Sequence, residues 1–150
     1  MATITGAGFE TTTGAPRVLL FHVFDKEEIL QRLRAEVATI DTRNLKVLQQ
    51  LPYLKANLKA ILMEGLRISP ALGTRMARIA PDRDLFYDQW RIPASTPVGM
   101  TLVLLHADET MYPNPRCFNP DRWVGPDGGQ KLVKTFAPFS RGTRAYLGMQ

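Results

Sequence analysis

Glu64 and Arg67 stand three residues apart in Glu64-Gly-Leu-Arg67. On a helix, residues at that spacing are neighbours on one face, so a carboxylate and a guanidinium can meet there. Alone, the pair reads as a surface contact worth a few tenths of a kcal/mol. Its context gives it more weight. Further along come Phe118-Asn-Pro120-Asp-Arg122-Trp123 and then FSRGTRAYLG at 139–148. The second stretch has glycines at two places, Gly142 and Gly148, where a sharp turn or a close backbone approach is permitted. Ligands for a metal are sparse. Cys117, His22 and His106 are isolated from one another in sequence. The two histidines read as structural, and Cys117 as a small buried or half-buried residue.

These groups need elements to hold them. Asp25-Lys-Glu-Glu28 resembles a capping box, with Asp25 as acceptor and Glu28 three residues on. Ile29, Leu30, Leu33 and Val37 follow at helical spacing, which predicts a helix over 26–37. Leu51, Leu54, Leu58, Ile61, Leu62 and Leu66 predict a second helix that carries Glu64 and Arg67. Pro52 suits its first turn, and the helix should end before Pro70. The segment before Asp25 reads as helical from Arg17 onward, with Gly14 and Pro16 interrupting it upstream. Nine of the eleven prolines lie at position 70 or later, so the second half reads as short strands and long ordered loops. Stretches 74–80 and 90–92 read as strands, 98–105 as strand or helix, and 126–129 as a turn. The predicted class is mainly α with small β segments.

With 150 residues the chain is about one domain. Its net charge is +5, but the nineteen Lys and Arg residues are scattered and form no block. A nucleic-acid groove would cluster them and interleave aromatics, so nucleic acid is not an expected partner. No apolar run approaches the length of about 18 residues that spans a bilayer. The first sixteen residues have neither the basic nor the apolar region of a secretory signal. A lone cysteine excludes an internal disulfide framework and weakly favours a reducing compartment.

In order and spacing, these motifs resemble the C-terminal part of a fungal-type cytochrome P-450, a haem-thiolate monooxygenase. The resemblance covers nearly all of 1–150, as one partial domain. Ala7-Gly8-Phe-Glu10-Thr11-Thr12 resembles the end of the family's central oxygen-activating helix, and LPYLKANLKAILMEGLRISP its Glu-x-x-Arg helix. β segments come next, then the Phe-x-Pro-x-Arg loop at 118–122 and the haem-binding loop at 139–148. The family's domain is several times longer, so the chain reads as a truncated portion of it.

The resemblance implies roles. Glu64, Arg67 and Arg122 would form a largely buried charged triad that pins the loop beneath haem b. Arg78 and Arg144 would meet the haem propionates, since arginine forks suit carboxylates. The competing reading of Arg78 is a solvated strand-edge charge. Phe139, Gly142, Arg144 and Gly148 would shape the haem loop. Glu10 and Thr11 would manage protons at bound oxygen, or else cap the start of a helix. The family also implies an NADPH-dependent reductase, a small organic substrate and association with the endoplasmic-reticulum membrane. One residue departs from the pattern: the family's axial cysteine falls on Tyr146. That substitution and the short length imply a fragment without monooxygenase activity. The alternatives are a haem-binding protein with Tyr146 as ligand, and a non-catalytic interaction module.

Overall fold

A computed structural model describes residues 2–38, 52–69, 73–124, 128–142 and 145. The elements run α1 (Ala2–Asp25), α2 (Glu27–Ala38), α3 (Pro52–Ile68), β1 (Leu85–Tyr87), β2 (Trp90–Ile92), α4 (Leu102–His106), a 3-10 turn (Pro120–Trp123) and α5 (Gly128–Thr135). The chain is mainly helical with a small sheet, as its sequence predicts.

Helix α1 passes through Pro16, where an interruption was expected. Proline fixes φ near the helical value, but it removes its own backbone donor and its ring crowds the carbonyl four residues back. Thr12 and Pro16 are both exposed, so the carbonyl left without that donor faces water. Thr13 bonds back to the Phe9 carbonyl at 2.6 Å, within the same turn. Asp25 ends α1 instead of capping α2. Lys26 is the joint: its carbonyl accepts from the Ile29 and Leu30 amides at 3.0 and 3.1 Å, the first bonds of α2.

Helix α3 lies between two apolar clusters. Toward α1 and α2, Ile61 packs with Val23 and Phe118, flanked by Leu19, Ile29, Leu30, Leu33 and Ile68. Toward the C-terminal half, Ala60 packs with Tyr112 and Trp123, flanked by Met63, Leu132 and Phe136. Among the described residues of α3, Ala60, Ile61, Glu64, Gly65 and Arg67 are buried. This face is rotated from the leucine stripe read in the sequence, since Leu58 and Leu62 are exposed. Hydrophobic spacing placed the helix, and Ile61 on its core side, but Leu58 and Leu62 face out where Glu64 and Arg67 face in.

At Gly65 helix α3 lies close against Leu19 of α1. A Cβ there would lie 3.1 Å from both Cβ and Cδ1 of Leu19. Gly65→Val is expected to force the helices apart and cost about 1–3 kcal/mol. A lowered urea midpoint would register this; an unchanged midpoint would mean the contact yields freely.

The β segments are smaller than expected at one site and larger at another. Over 74–80, only Arg78 pairs, as an isolated antiparallel bridge to Val98. β2 forms as predicted, and β1, unforeseen, pairs with it antiparallel in the register Tyr87↔Trp90. Their two-residue turn uses Asp88 at φ 50°, a conformation that aspartate tolerates without glycine. The stretch 98–105 divides: Val98 makes the bridge and helix starts at Leu102. Gly128 and Gly129, read as part of a turn, open α5.

Candidate functional site

A single carboxylate organises the interior. Glu64 is fully buried and accepts five hydrogen bonds. Its Oε1 takes Arg67 Nη2 at 2.8 Å, the Asn119 amide at 3.0 Å and Arg122 Nε at 3.1 Å. Its Oε2 takes Trp123 Nε1 at 2.8 Å and Arg67 Nε at 2.9 Å. The Arg67 contact is bidentate, the strong form of an arginine–carboxylate pair. The helix supplies Glu64 and Arg67 from one face. The 3-10 turn supplies Arg122 and Trp123, with Asn119 Oδ1 capping that turn at the Asp121 amide.

The arginines spend their remaining donors on the backbone. Arg67 reaches the carbonyls of His106 and Pro115, each at 2.7 Å. Arg122 reaches the Pro113 carbonyl at 3.0 Å and, at 3.4 Å, that of Cys117. The network therefore ties α3 to the end of α4 and to the irregular segment between α4 and the 3-10 turn. Prolines keep that segment out of helix and sheet, so its carbonyls need donors from elsewhere. Tyr112 covers Arg67 from the side, its ring centroid 5.3 Å from Cζ, a cation–π distance. Burial raises the pKa of Tyr112, whose hydroxyl lies 3.0 Å from Thr135 Oγ1.

Burial acts strongly on Glu64 and by itself would raise its pKa. The bonds from Arg67, the Asn119 amide and Trp123 outweigh it and hold the carboxyl below its ordinary value of 4.5. With both oxygens engaged and no solvent access, Glu64 is built to position chain and not to exchange protons. The sign of the linked pH effect follows. Below pH 4.5 the unfolded chain binds this proton more readily than the folded one, so stability falls with pH. Urea midpoints should drop as pH is lowered through that range, and Glu64→Gln should flatten the drop. Half-buried Asp84, held below its ordinary value by the Ala94 amide and Arg91, and Asp108, held below its own by the Thr110 hydroxyl and amide, act in the same direction at lower pH. A profile equally steep in Glu64→Gln would rule out Glu64 as its source.

Other candidate residues are placed as follows. Arg78 is exposed and donates to Ser140 Oγ at 3.3 Å, which brings it to the C-terminal loop. That loop turns sharply: Ser140 has φ 65° and Gly142 φ 76°, both left-handed. Ser140's amide closes one turn on the Ala137 carbonyl at 3.0 Å, and Arg141 binds the Val133 and Phe136 carbonyls. Phe139 lies in the same turn, half-buried. Arg144, Tyr146 and Gly148 lie outside the described residues. Glu10 and Thr11 lie well inside α1, so the helix-start capping reading does not hold.

Cys117 is exposed, not buried as its sequence context suggested; Lys26 Nζ lies 3.7 Å from its sulfur. His22 stacks on Phe118, with ring centroids 4.8 Å apart. His106 is buried, and its Nε2 accepts from the Ala137 amide at 3.3 Å. Among the described residues, no group of three or more His, Cys, Asp or Glu is placed to hold a metal ion. No helix among them is long and apolar enough to cross a membrane.

Three residues of the network were absent from the sequence reading as site members: the Asn119 amide, the Trp123 indole and Tyr112. Trp123 carried a signal, since it adjoins Arg122. A backbone amide carries none.

A helix-borne Glu–Arg pair closed by an arginine from a Pro-rich loop ties α3 to the segment between α4 and the 3-10 turn in a mainly helical chain with a marginal sheet. Comparison with known proteins gives that arrangement its class. The family model described as Cytochrome P450 matches residues 1–150, and the chain belongs to that family. Among curated relatives, it is 36% identical to cytochrome P450 monooxygenase MO6277 of Ascocoryne sarcoides, over 97% of this chain and 29% of that one. It is 40% identical to N-acetyltryptophan 6-hydroxylase ivoC of Emericella nidulans, over 98% of this chain and 30% of that one. Among solved structures, a zebrafish cytochrome P450 with progesterone matches at TM-score 0.75 and 25% identity, over 98% of this chain and 33% of that one. The retinoic-acid-bound cyanobacterial CYP120A1 matches at TM-score 0.70 and 26% identity, over 95% and 32%. The chain thus spans about a third or less of the relatives it matches. The family's cofactor is haem.

Proposed function

We propose that this chain carries the haem-loop scaffold of a cytochrome P450 monooxygenase without the thiolate that drives the family's chemistry. The observation that supports it is the contrast between two parts of one site. The Glu64–Arg67–Arg122 network is formed, with both oxygens of Glu64 engaged, while Tyr146 stands where the family's pattern calls for cysteine.

The donor set fits haem in part. Arg78 reaches Ser140 of the C-terminal loop, a place where a guanidinium can meet a propionate, and Arg144 is the second candidate. The left-handed turns at Ser140 and Gly142 suit a loop folded tightly under a flat ring. The axial donor does not fit. A phenol with an ordinary pKa near 10 is a harder and weaker donor than a thiolate, and lacks the electron push that favours O–O cleavage. No catalytic step is drawn through such a centre, and the chain as it stands is read as catalytically inactive.

The rest of the reading follows the family. Glu10 and Thr11 would occupy the proton-delivery positions, and Phe139 and Gly148 would complete the haem loop. The whole relatives act as monooxygenases and hydroxylases by name. A small organic substrate, an NADPH-dependent reductase and association with the endoplasmic-reticulum membrane belong to that parent activity. Titrating the purified chain with haemin tests the reading. Only weak, non-saturating changes in the Soret band are expected from the chain with Tyr146. A saturable, shifted band would instead establish a haem protein with Tyr146 as the candidate ligand.

A further inference from the structure

The C-terminal loop is held at its first residues by a group that the scaffold network does not include. His106 ends α4 and is 4% exposed. Its ring stacks on Phe136, with centroids 5.7 Å apart, and meets Tyr112 edge-on at 6.0 Å. The Ala137 amide donates to its Nε2 at 3.3 Å. An imidazole nitrogen accepts only when it carries no proton, so the ring must be neutral with its proton on Nδ1. Ala137 is the first residue past the Phe136 junction with α5, and its carbonyl accepts the Ser140 turn bond. One ring nitrogen thus anchors the start of the loop that carries Ser140 and Gly142.

We propose that His106 is a pH-sensitive clasp: its neutral ring holds the C-terminal loop through Ala137, and protonation releases the loop. Protonation turns the acceptor into a donor facing a donor, so the bond is not weakened but abolished. The surroundings oppose the charge as well. The ionisable groups facing the ring are Arg67 and Glu64 from α3, and Tyr112 from the segment after α4. The guanidinium of Arg67 sits on the carbonyl of His106 itself, at 2.7 Å. Glu64 and a hydrogen bond with the Arg67 backbone favour an imidazolium, but burial and the Arg67 guanidinium outweigh them. From α5 and the residue after it, the contacts are the apolar Phe136 and Ala137, while Lys131 and Lys134 are exposed. Burial, with Arg67 adding to it, lowers the His106 pKa from its ordinary 6.5, which keeps the clasp closed at neutral pH. Titration of histidine puts such a release in the mildly acidic range.

Amide hydrogen exchange of the full chain tests this without haem. Protection factors at Ala137 and Ser140 would be followed from about pH 7.5 to about pH 5, with Val98 in its bridge to Arg78 as an internal control. Protection at Ala137 and Ser140 should fall on the order of ten-fold with falling pH, while Val98 holds. His106→Gln places an amide oxygen near Nε2 that accepts at every pH, and should remove the pH dependence while keeping protection. His106→Phe keeps the stacking but not the acceptor, and should lose protection across the range. Flat protection in the wild-type chain, or a pH dependence surviving in His106→Gln, would overturn the clasp.

Discussion

Replacing Glu64 by alanine is expected to cost about 3–5 kcal/mol, a large share of the 5–15 kcal/mol that holds an ordinary domain together. The reason is not the loss of one attractive pair. A buried ion pair contributes little over a well-packed apolar substitute, because taking both charges out of water offsets most of their attraction. Removing one partner is different. Arg67 and Arg122 would keep their charges, nearly buried, with no counter-ion between them. The Trp123 indole and the Asn119 amide would lose their acceptor at the same time. Urea denaturation should show a sharply lowered midpoint, or no cooperative transition at all. Arg67→Lys should follow in the same direction, since an ammonium cannot fork onto Glu64 and also reach the His106 and Pro115 carbonyls. A Glu64→Ala variant within about 1 kcal/mol of wild type would show the network to be peripheral to stability.

Phe118→Ala is expected to lose about 3–5 kcal/mol by a different route, an emptied core. Phe118 is 2% exposed and meets Val23 of α1 and Ile61 of α3, with α2 leucines beside it. His22 stacks flat on its ring, at 10° between planes. It also adjoins Asn119, whose amide serves Glu64, so its loss loosens one support of the network. The backbone bond from Lys26 Nζ to the Phe118 carbonyl, 2.7 Å, survives the substitution. That leaves the cavity as the dominant effect. Phe118→Leu should recover much of the loss. Equal losses in both variants would point to the aromatic stacking on His22 instead of volume.

How much of this the sequence disclosed differs by residue. Helices α2 and α3 were legible from spacing, and the Glu64–Arg67 pair from its i, i+3 placement. The fold class was legible from the shift to proline after Pro70. What escaped has specific causes. The passage of α1 through Pro16 escaped because proline usually ends a helix, whereas here the helix runs on through it. The buried face of α3 was legible at Ile61 but not at Glu64 and Arg67, where charge pairing takes the core side from the leucines. Helix α5 escaped behind Gly128 and Gly129, though Leu132 and Phe136 stood four apart and now pack together against Tyr112 and Trp123. The hairpin turn escaped because Asp88 does the work usually signalled by glycine. Within the site, Glu64, Arg67 and Arg122 could be named in advance, whereas Trp123 and Tyr112 were not. The backbone partners could not be, because a carbonyl at Pro113 or Pro115 looks like any other in sequence.

The functional reading depends most on position 146. The Glu64–Arg67–Arg122 network is present, and in the proposed reading Tyr146 is the chemical departure from the family's pattern. The direct measurement is a pair of reduced, carbon-monoxide-exposed absorption spectra with haemin, one for the wild-type chain and one for Tyr146→Cys. The expected result is a thiolate-type band in Tyr146→Cys alone, showing a scaffold that accepts haem once its sulfur is restored. A ligated haem spectrum in the wild-type chain, or no haem binding by either form, would contradict it.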